Sequence, residues 1–522
     1  MEPLGFSKSL GLIGTFAALV SLLLPLTMLP LLTRAQSLLF LIGQIIYRVY
    51  FHPLSRIPGP KINAVSRIPY IRHLLAGTTV ENVSKLHAKY GDVVRVSPSQ
   101  VSFINGETSF PEIYGFRTGK LKGHANMLKD PVWYPPPVNG APSIIIANDT
   151  DHSRARKTLS HAFSEKALAE QEGLLHRYSD QLVSRLKEVT SESPEPVNMV
   201  KWYNWFTFDI IADLLFGEPF GCLQDLRTHP YIDLLFRGVK SIRFFYIMKF
   251  FPAVKYLGSL VVDKAMLASR QEYQDWITSQ ATKRRERDVE RPDFMGMILK
   301  HNGEKGQSLS NLEIDSNCSI FITAGSETTA TLLSGCTYLM LQNPEVYQKV
   351  KDEVRGAFAK YDDITLEAIN RGTPYLLATL QEALRYYPPV PTGFERQVPS
   401  GGEVVSGYYL PEGTAVSVSH YPAYHSESNF KNAESFVPER WMGDPMYAND
   451  KRSGHQPFSF GPRNCLGKNL AYAEMRLLMA KVVWSFDFEL DARSENWFQR
   501  NKVFTLWEKP ELLVHLKEVL RD

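Results

Sequence analysis

Four cysteines, Cys222, Cys318, Cys336 and Cys465, are spread over 522 residues, and none stands in a CxxC pair or a zinc-type cluster. Cysteine chemistry in this chain is therefore that of a single thiolate, and a disulfide framework is not expected. Cys465 has a setting for it, in the run Phe458-Ser459-Phe460-Gly461-Pro462-Arg463-Asn464-Cys465-Leu466-Gly467. A lone cysteine is usually just a small buried hydrophobe. Here Gly461 and Gly467 let the chain turn tightly and approach a flat cofactor, and Arg463 brings a fixed cation beside the thiol. The following KNLAYAEMRLLMAKVVW reads as a helix whose positive end also favours a thiolate.

A second group lies in Ala324-Gly325-Ser326-Glu327-Thr328-Thr329, where small residues, an acid and two hydroxyls interrupt an apolar stripe. The capping-box signature Ser310-x-x-Glu313 opens this helix and Asn343-Pro344 stops it, giving about 30 residues or about 45 Å. Such a stretch is either a tight helix crossing with a solvated acid or part of a site. Glu382 and Arg385 share a helix face, and Arg440 can complete a buried charge-assisted network with them; the alternative is a weak surface pair.

The segment Phe458 to Gly467 resembles the heme-binding loop of the cytochrome P450 family, matching Phe-x-x-Gly-x-Arg-x-Cys-x-Gly at every fixed position. Ala324 to Thr329 is similar to the family's oxygen-activating helix motif. Glu382-x-x-Arg385 resembles the motif of the helix before the sheet, and Pro438-Glu439-Arg440-Trp441 the later Pro-Glu-Arg motif, in the family's order. The resemblance extends over nearly the whole chain. It implies a mainly α fold with small β-sheets, and heme b ligated through Cys465. Phe458, Arg463, Arg396 and the His152 and Arg156 pair fall at cofactor-binding positions, with the cations there to take the two propionates. His152 departs from the family's frequent Trp, and a helix-surface histidine is the alternative. Tyr424-His425-Ser426 departs from the frequent His-Arg and leaves Ser426 unassigned.

The same resemblance makes Glu327 and Thr328 deliver protons, with Thr329 packing or bonding back to the helix, and makes Glu382, Arg385 and Arg440 a brace beneath the heme. An axial thiolate favours O–O cleavage, so the implied reaction inserts one oxygen atom into an organic substrate, with water as the other product. No flavin or nicotinamide fingerprint is present, which implies a membrane-bound NADPH-dependent flavoprotein reductase as electron donor, docking near Arg463 and Lys468. The implied pocket is lined by Met127 to Pro137, Phe321, Ala324, Val390 to Phe394, and Phe504 with Thr505, and suits a lipophilic small molecule. YRVYFHPLSRIPGP and DHSRARKTLSHAFS look most like fungal enzymes of secondary metabolism. The rivals are a heme-thiolate isomerase or dehydratase that needs no dioxygen, and a non-enzymatic heme-binding membrane protein.

These residues need a body to position them. Hydrophobic residues make up 44% of the chain and charged ones 22%, enough for a large core, and 58 basic against 55 acidic residues leave a net charge of +3. With no finger spacing or arginine-rich arm, nucleic acid is not expected as a partner. Residues from Asp149 to about Met340 are mostly helical in pattern, and EVVSGYYLPEGTAVSV reads as a hairpin around its Pro-Glu-Gly turn.

At the amino end, Leu10 to Thr33 is uncharged and long enough to span a hydrocarbon core of about 30 Å, with Pro25 and Pro30 as kinks. A signal peptide cleaved after Ala35 is the alternative. The second apolar run, Ala35 to Tyr47, is short for a span and suits an interfacial or re-entrant segment. Basic residues follow both runs, which places the body on the cytosolic face of the endoplasmic reticulum membrane behind a single-span anchor. The division is residues 1–57 as anchor and hinge approach, with the span at about 10–33 and the second run at 35–47, and residues 58–522 as the heme-thiolate monooxygenase domain. Cys465→Ala is expected to abolish the thiolate signature of the reduced carbon monoxide spectrum, while Cys222→Ala, Cys318→Ala and Cys336→Ala keep it. Retention of that signature in Cys465→Ala would overturn the assignment.

Overall fold

In the computed structural model, which describes residues 29–134, 136–251, 264–287, 289–304 and 308–521, the chain is mainly helical with small sheets. The helices used below are α1 (Leu29–Ile46), α2 (Asp149–Leu159), α3 (Glu165–Glu192), α4 (Met199–Phe216), α5 (Pro230–Phe250), α6 (Lys264–Glu286), α7 (Asn311–Gln342), α8 (Pro374–Tyr386) and α9 (Lys468–Ser485). A helix apolar on all sides must be buried on all sides. α4 is one: every residue except Lys201 and Asn204 is buried. It crosses α7, the 32-residue axis of the fold, about 48 Å long. The crossing is close at Gly325, where a Cβ would fall 2.9 Å from the Ile211 Cδ1 atom. Farther along, the Tyr203 and Thr337 hydroxyls bond at 2.7 Å. The expected capping box is present: Ser310 Oγ accepts from the Glu313 N–H, and the Glu313 carboxylate accepts from the Ser310 N–H.

The main sheet runs β1 (Val93–Ser97), β2 (Gln100–Phe103), β8 (Ala415–Val418), β5 (Arg396–Gln397), β3 (Leu128–Lys129). β2 and β8 pair in parallel, Gln100 opposite Ala415; β5 and β3 pair antiparallel, with Arg396 opposite Lys129. A three-stranded sheet, β4 (Val197–Asn198), β12 (Leu513–Glu518) and β9 (Phe486–Leu490), ties the chain's end to the start of α4. A short ribbon joins β10 (Lys502–Phe504) and β11 (Leu506–Glu508).

The hairpin lies upstream of its expected turn. β6 (Glu403–Val405) pairs with β7 (Tyr408–Leu410) across Ser406 and Gly407, whose φ values of 50° and 82° suit the twist of a two-residue turn. Pro411-Glu412-Gly413 instead carries the chain into β8 of the other sheet, so the turn chemistry there serves a change of sheet.

Glu382, Arg385 and Arg440 form the buried network, all with side chains fully inaccessible, and no surface pair. Arg385 forks onto Glu382 at 2.9 and 2.7 Å, Arg440 Nε reaches it at 3.1 Å and Trp441 Nε1 at 2.8 Å. The remaining Arg385 donors take the carbonyls of Tyr424, Ala433 and Ser435, each at 2.8 Å.

Most of the span expected at 10–33 lies outside the described residues, and among the described residues no helix is long and apolar enough to cross a membrane. The second apolar run is helical within α1 and continues as a π-helix, Tyr47–Phe51. Its apolar side chains, including Leu39, Phe40 and Phe51, are exposed. From Arg48 onward the segment is fastened to the body: Arg48 donates to the Val65 carbonyl at 2.7 Å, Arg95 donates to the Arg48 carbonyl at 2.9 Å, and Leu54 is wholly buried. Arg385→Ala would remove the fork from Glu382 and leave three carbonyls without that donor, and is expected to cost about 3–5 kcal/mol in urea unfolding of the holoprotein. Lys85→Ala, at the exposed Glu81 pair, is expected to change nothing measurable.

Candidate active site

The loop before α9 is held by backbone bonds. Cys465 N–H donates to the Phe458 carbonyl at 2.8 Å, and Ser459 N–H donates to the Gln456 carbonyl at 2.9 Å. Gly461 has φ 73°, and a Cβ there would fall 2.0 Å from the Tyr114 carbonyl oxygen, so this glycine answers to protein backbone. Gly467 differs. It caps α9, lines the cavity, and the nearest atom to an added Cβ is a Phe163 ring carbon at 3.7 Å, which leaves room for a flat group on that side.

Cys222, Cys318 and Cys336 are buried, and desolvation pushes each thiol up to about 12. Cys465 opens onto the cavity. Burial raises its pKa, against the Gly467 N–H and the Arg156 and Lys468 cations, which lower it. The cation expected beside the thiol, Arg463, is turned away: it pairs with Asp149 at 2.8 Å and donates to the Ala147 carbonyl at 2.8 Å. Arg156 takes the place beside the loop, donating to Asn464 Oδ1 at 2.6 Å. Phe458 lines the cavity and leans on Tyr472, with ring centroids 5.1 Å apart.

Cys465 and the expected cations share one cavity of about 550 Å³, walled by α5, α6, α7, the main sheet and the start of α9. His152, Arg156, Arg396 and Arg463 all line it, and so does Lys129, which lies in the expected lining segment but not among the expected cations. A two-residue strand carries no periodicity to announce it, and only its register opposite Arg396 brings Lys129 to the site. His152 is buried in this wall and not on a helix surface; desolvation, then Arg463, Arg156 and Lys129, depress it to about 4. Burial, Arg396 and Arg463 push Lys129 well below the usual amine range. Arg396 Nε and one terminal Arg463 nitrogen are buried without a hydrogen-bond partner. Clustered cations with spare donors suit a ligand with two carboxylates, so these residues fit heme and its propionates.

Over the far side runs α7. Thr328 lines the cavity and donates to the Ala324 carbonyl at 2.7 Å, leaving its lone pairs facing inward. Glu327 does not join it: its carboxylate is buried, ion-paired with Lys509 and bonded to Thr331 at 3.2 Å. The close crossing and the acid therefore coexist, but the acid is not solvated. Thr329 bonds Glu474 of α9, a cavity-lining carboxyl that burial raises to about 8, so that it is protonated at neutral pH. Its signal in the sequence is a lone acid between Ala473 and Met475. Of the expected lining, much of the Met127 to Pro137 segment, including Trp133 and Tyr134, together with Phe321, Ala324, Val390, Phe394 and Thr505, faces the cavity, whereas Met127 packs with the main sheet and Phe504 lies under Arg243.

One accessible thiol at a helix start, within a wall of cations that keep buried donors free, is the setting of a heme-thiolate protein. The family model for cytochrome P450 matches residues 58–515. Over 91% of its length the chain is 58% identical to cytochrome P450 monooxygenase traB of Penicillium crustosum, covering 94% of that protein. It is 46% identical to cytochrome P450 monooxygenase lcsI of Purpureocillium lilacinum over 93% of the chain and 94% of the relative. Averantin hydroxylase of Dothistroma septosporum is 42% identical over 92% and 89%. The chain belongs to the cytochrome P450 family, and it is a heme-thiolate monooxygenase. Loss of one charge-assisted donor pair should weaken cofactor retention, so Arg396→Leu and Lys129→Met are each expected to speed heme transfer to an apoprotein acceptor about tenfold or more. Unchanged transfer rates would show the wall to be structural.

Proposed function

We propose that this enzyme inserts one atom of dioxygen into a lipophilic intermediate of fungal secondary metabolism. In this reading Cys465 is the iron ligand, Phe458 packs the loop against the cofactor, and His152, Arg156, Arg396 and Arg463, joined by Lys129, hold the propionate side. The observation that carries it is the one cavity in which an accessible thiol and buried, unpaired arginine donors meet. Heme bound there supplies the activation of dioxygen.

The chain's own residues supply the rest. The Thr328 hydroxyl donates to Ala324 and so keeps its lone pairs for an ordered water in the cavity, orienting it for proton delivery. Glu327 is the neighbouring acid of the relay, and it reaches the cavity only by leaving Lys509. The largely apolar lining excludes bulk water and favours a lipophilic substrate. Fungal relatives with names such as averantin hydroxylase support the metabolite class.

Electrons come from a redox partner, here a membrane-bound NADPH-dependent flavoprotein reductase. With Arg463 engaged by Asp149, Lys468 is the exposed cation left on the expected docking face. The exposed apolar face of α1 supports a membrane seat, with residues 1–57 as anchor at the endoplasmic reticulum and residues 58–522 as the cytosolic catalytic domain. Purified full-length protein with reductase should consume oxygen and NADPH in the presence of metabolites that accumulate when the protein is deleted in its source; turnover without either would favour an isomerase or dehydratase. Thr328→Ala is expected to keep heme and substrate binding, yet to divert most reducing equivalents to hydrogen peroxide, since general acid assistance is worth about 10²- to 10⁴-fold. Thr329→Ala should couple better. Unchanged product per NADPH in Thr328→Ala removes that residue from the mechanism.

A further inference from the structure

The cavity is not uniformly apolar away from Cys465. Where α6 packs along α7, Tyr273 and Gln274 face into it, 9% and 6% exposed. The Tyr273 hydroxyl and the Gln274 side-chain nitrogen are both buried without a hydrogen-bond partner. Ser319 and Thr323 are the hydroxyls nearest Tyr273, and neither stands in hydrogen-bonding geometry with it. Buried donors left unpaired are rare and costly, and a pair of them on adjacent residues opening into one cavity is a recognition feature.

We infer that Tyr273 and Gln274 form a donor subsite that binds a carbonyl oxygen of the substrate and thereby sets which carbon is oxidised. This rests on the monooxygenase reading above. A phenol O–H and a carboxamide N–H both donate, so they select an acceptor oxygen over a hydrocarbon edge. Ser319 and Thr323 precede Thr328 by nine and five residues on α7, which puts the subsite about 7–14 Å along the helix axis from the Thr328 hydroxyl. The substrate class is therefore a lipophilic molecule carrying a carbonyl acceptor at one end and oxidised near the other.

The test uses the full-length holoenzyme and two probes of one skeleton, 9-fluorenone and fluorene, titrated by the Soret spin-state shift. Tyr273→Phe with Gln274→Leu is expected to move the fluorenone-to-fluorene affinity ratio about tenfold toward fluorene, because the site then lacks the donors that distinguish them. Tyr273→Phe alone, which removes a single oxygen, should move it part of the way, and it carries the test if the double variant does not fold. An unchanged ratio, an equal loss of both affinities, or failure of fluorenone to bind the wild type overturns the subsite. The reduced carbon monoxide spectrum of the same samples separates the two readings. A wild type without the thiolate band defeats the heme-thiolate reading, whereas an intact band with an unchanged ratio defeats the subsite alone.

Discussion

Lys129 stands opposite Arg396 in the antiparallel pairing of β3 with β5, and Arg463 and His152 close the same wall. Like charges at facing strand positions repel, and burial sharpens the repulsion because little water screens it. The protein relieves it only partly. Asp149 is engaged by Arg463, Arg396 keeps a buried nitrogen without an acceptor, and the Lys129 amine is driven toward its neutral form. A ligand with two carboxylates converts that repulsion into attraction. Because it binds the folded wall and has no such wall in the unfolded chain, its binding stabilises the fold by linkage.

The buried brace reaches the loop that carries the thiol through a short chain of bonds. Arg385, locked on Glu382, holds the Tyr424 carbonyl at 2.8 Å. The hydroxyl of the same tyrosine accepts from the Gln456 N–H at 3.0 Å, and the Gln456 carbonyl accepts from Ser459 at the entrance of the Cys465 loop. Gly461, pressed on the Tyr114 backbone, closes the loop from the other side. The brace therefore helps fix the loop backbone without itself entering the cavity.

The long α7, its capping box, α9 and the brace were legible in the sequence because each is local or carries its own spacing: Ser310 to Glu313, Glu382 to Arg385, Gly461 to Gly467. What was not legible depends on pairings distant in the chain. Lys129 joins the site through a strand register, Lys509 takes Glu327 from the end of the chain, and Arg463 prefers an aspartate at the start of α2 to the thiol two residues away. The misplaced hairpin has a local cause instead. Pro411-Glu412-Gly413 is good turn chemistry, but Ser406 and Gly407 are the pair that adopts positive φ on both residues.

The same geometry explains how one short motif serves two masters. Successive residues on a helix point about 100° apart, and here that step carries Glu327 off the cavity wall while Thr328 stays on it. Gly325 lets α7 close on α4, Thr328 turns to the cavity, and Glu327 turns to Lys509. Burying an acid among apolar helices demands that partner, because an unpaired charge there costs several kcal/mol. The ion pair thus keeps the acid beside the reaction chamber while excluding it from direct contact. Lys509, outside every motif of the sequence, is therefore the residue that holds this acid in place from the far end of the chain.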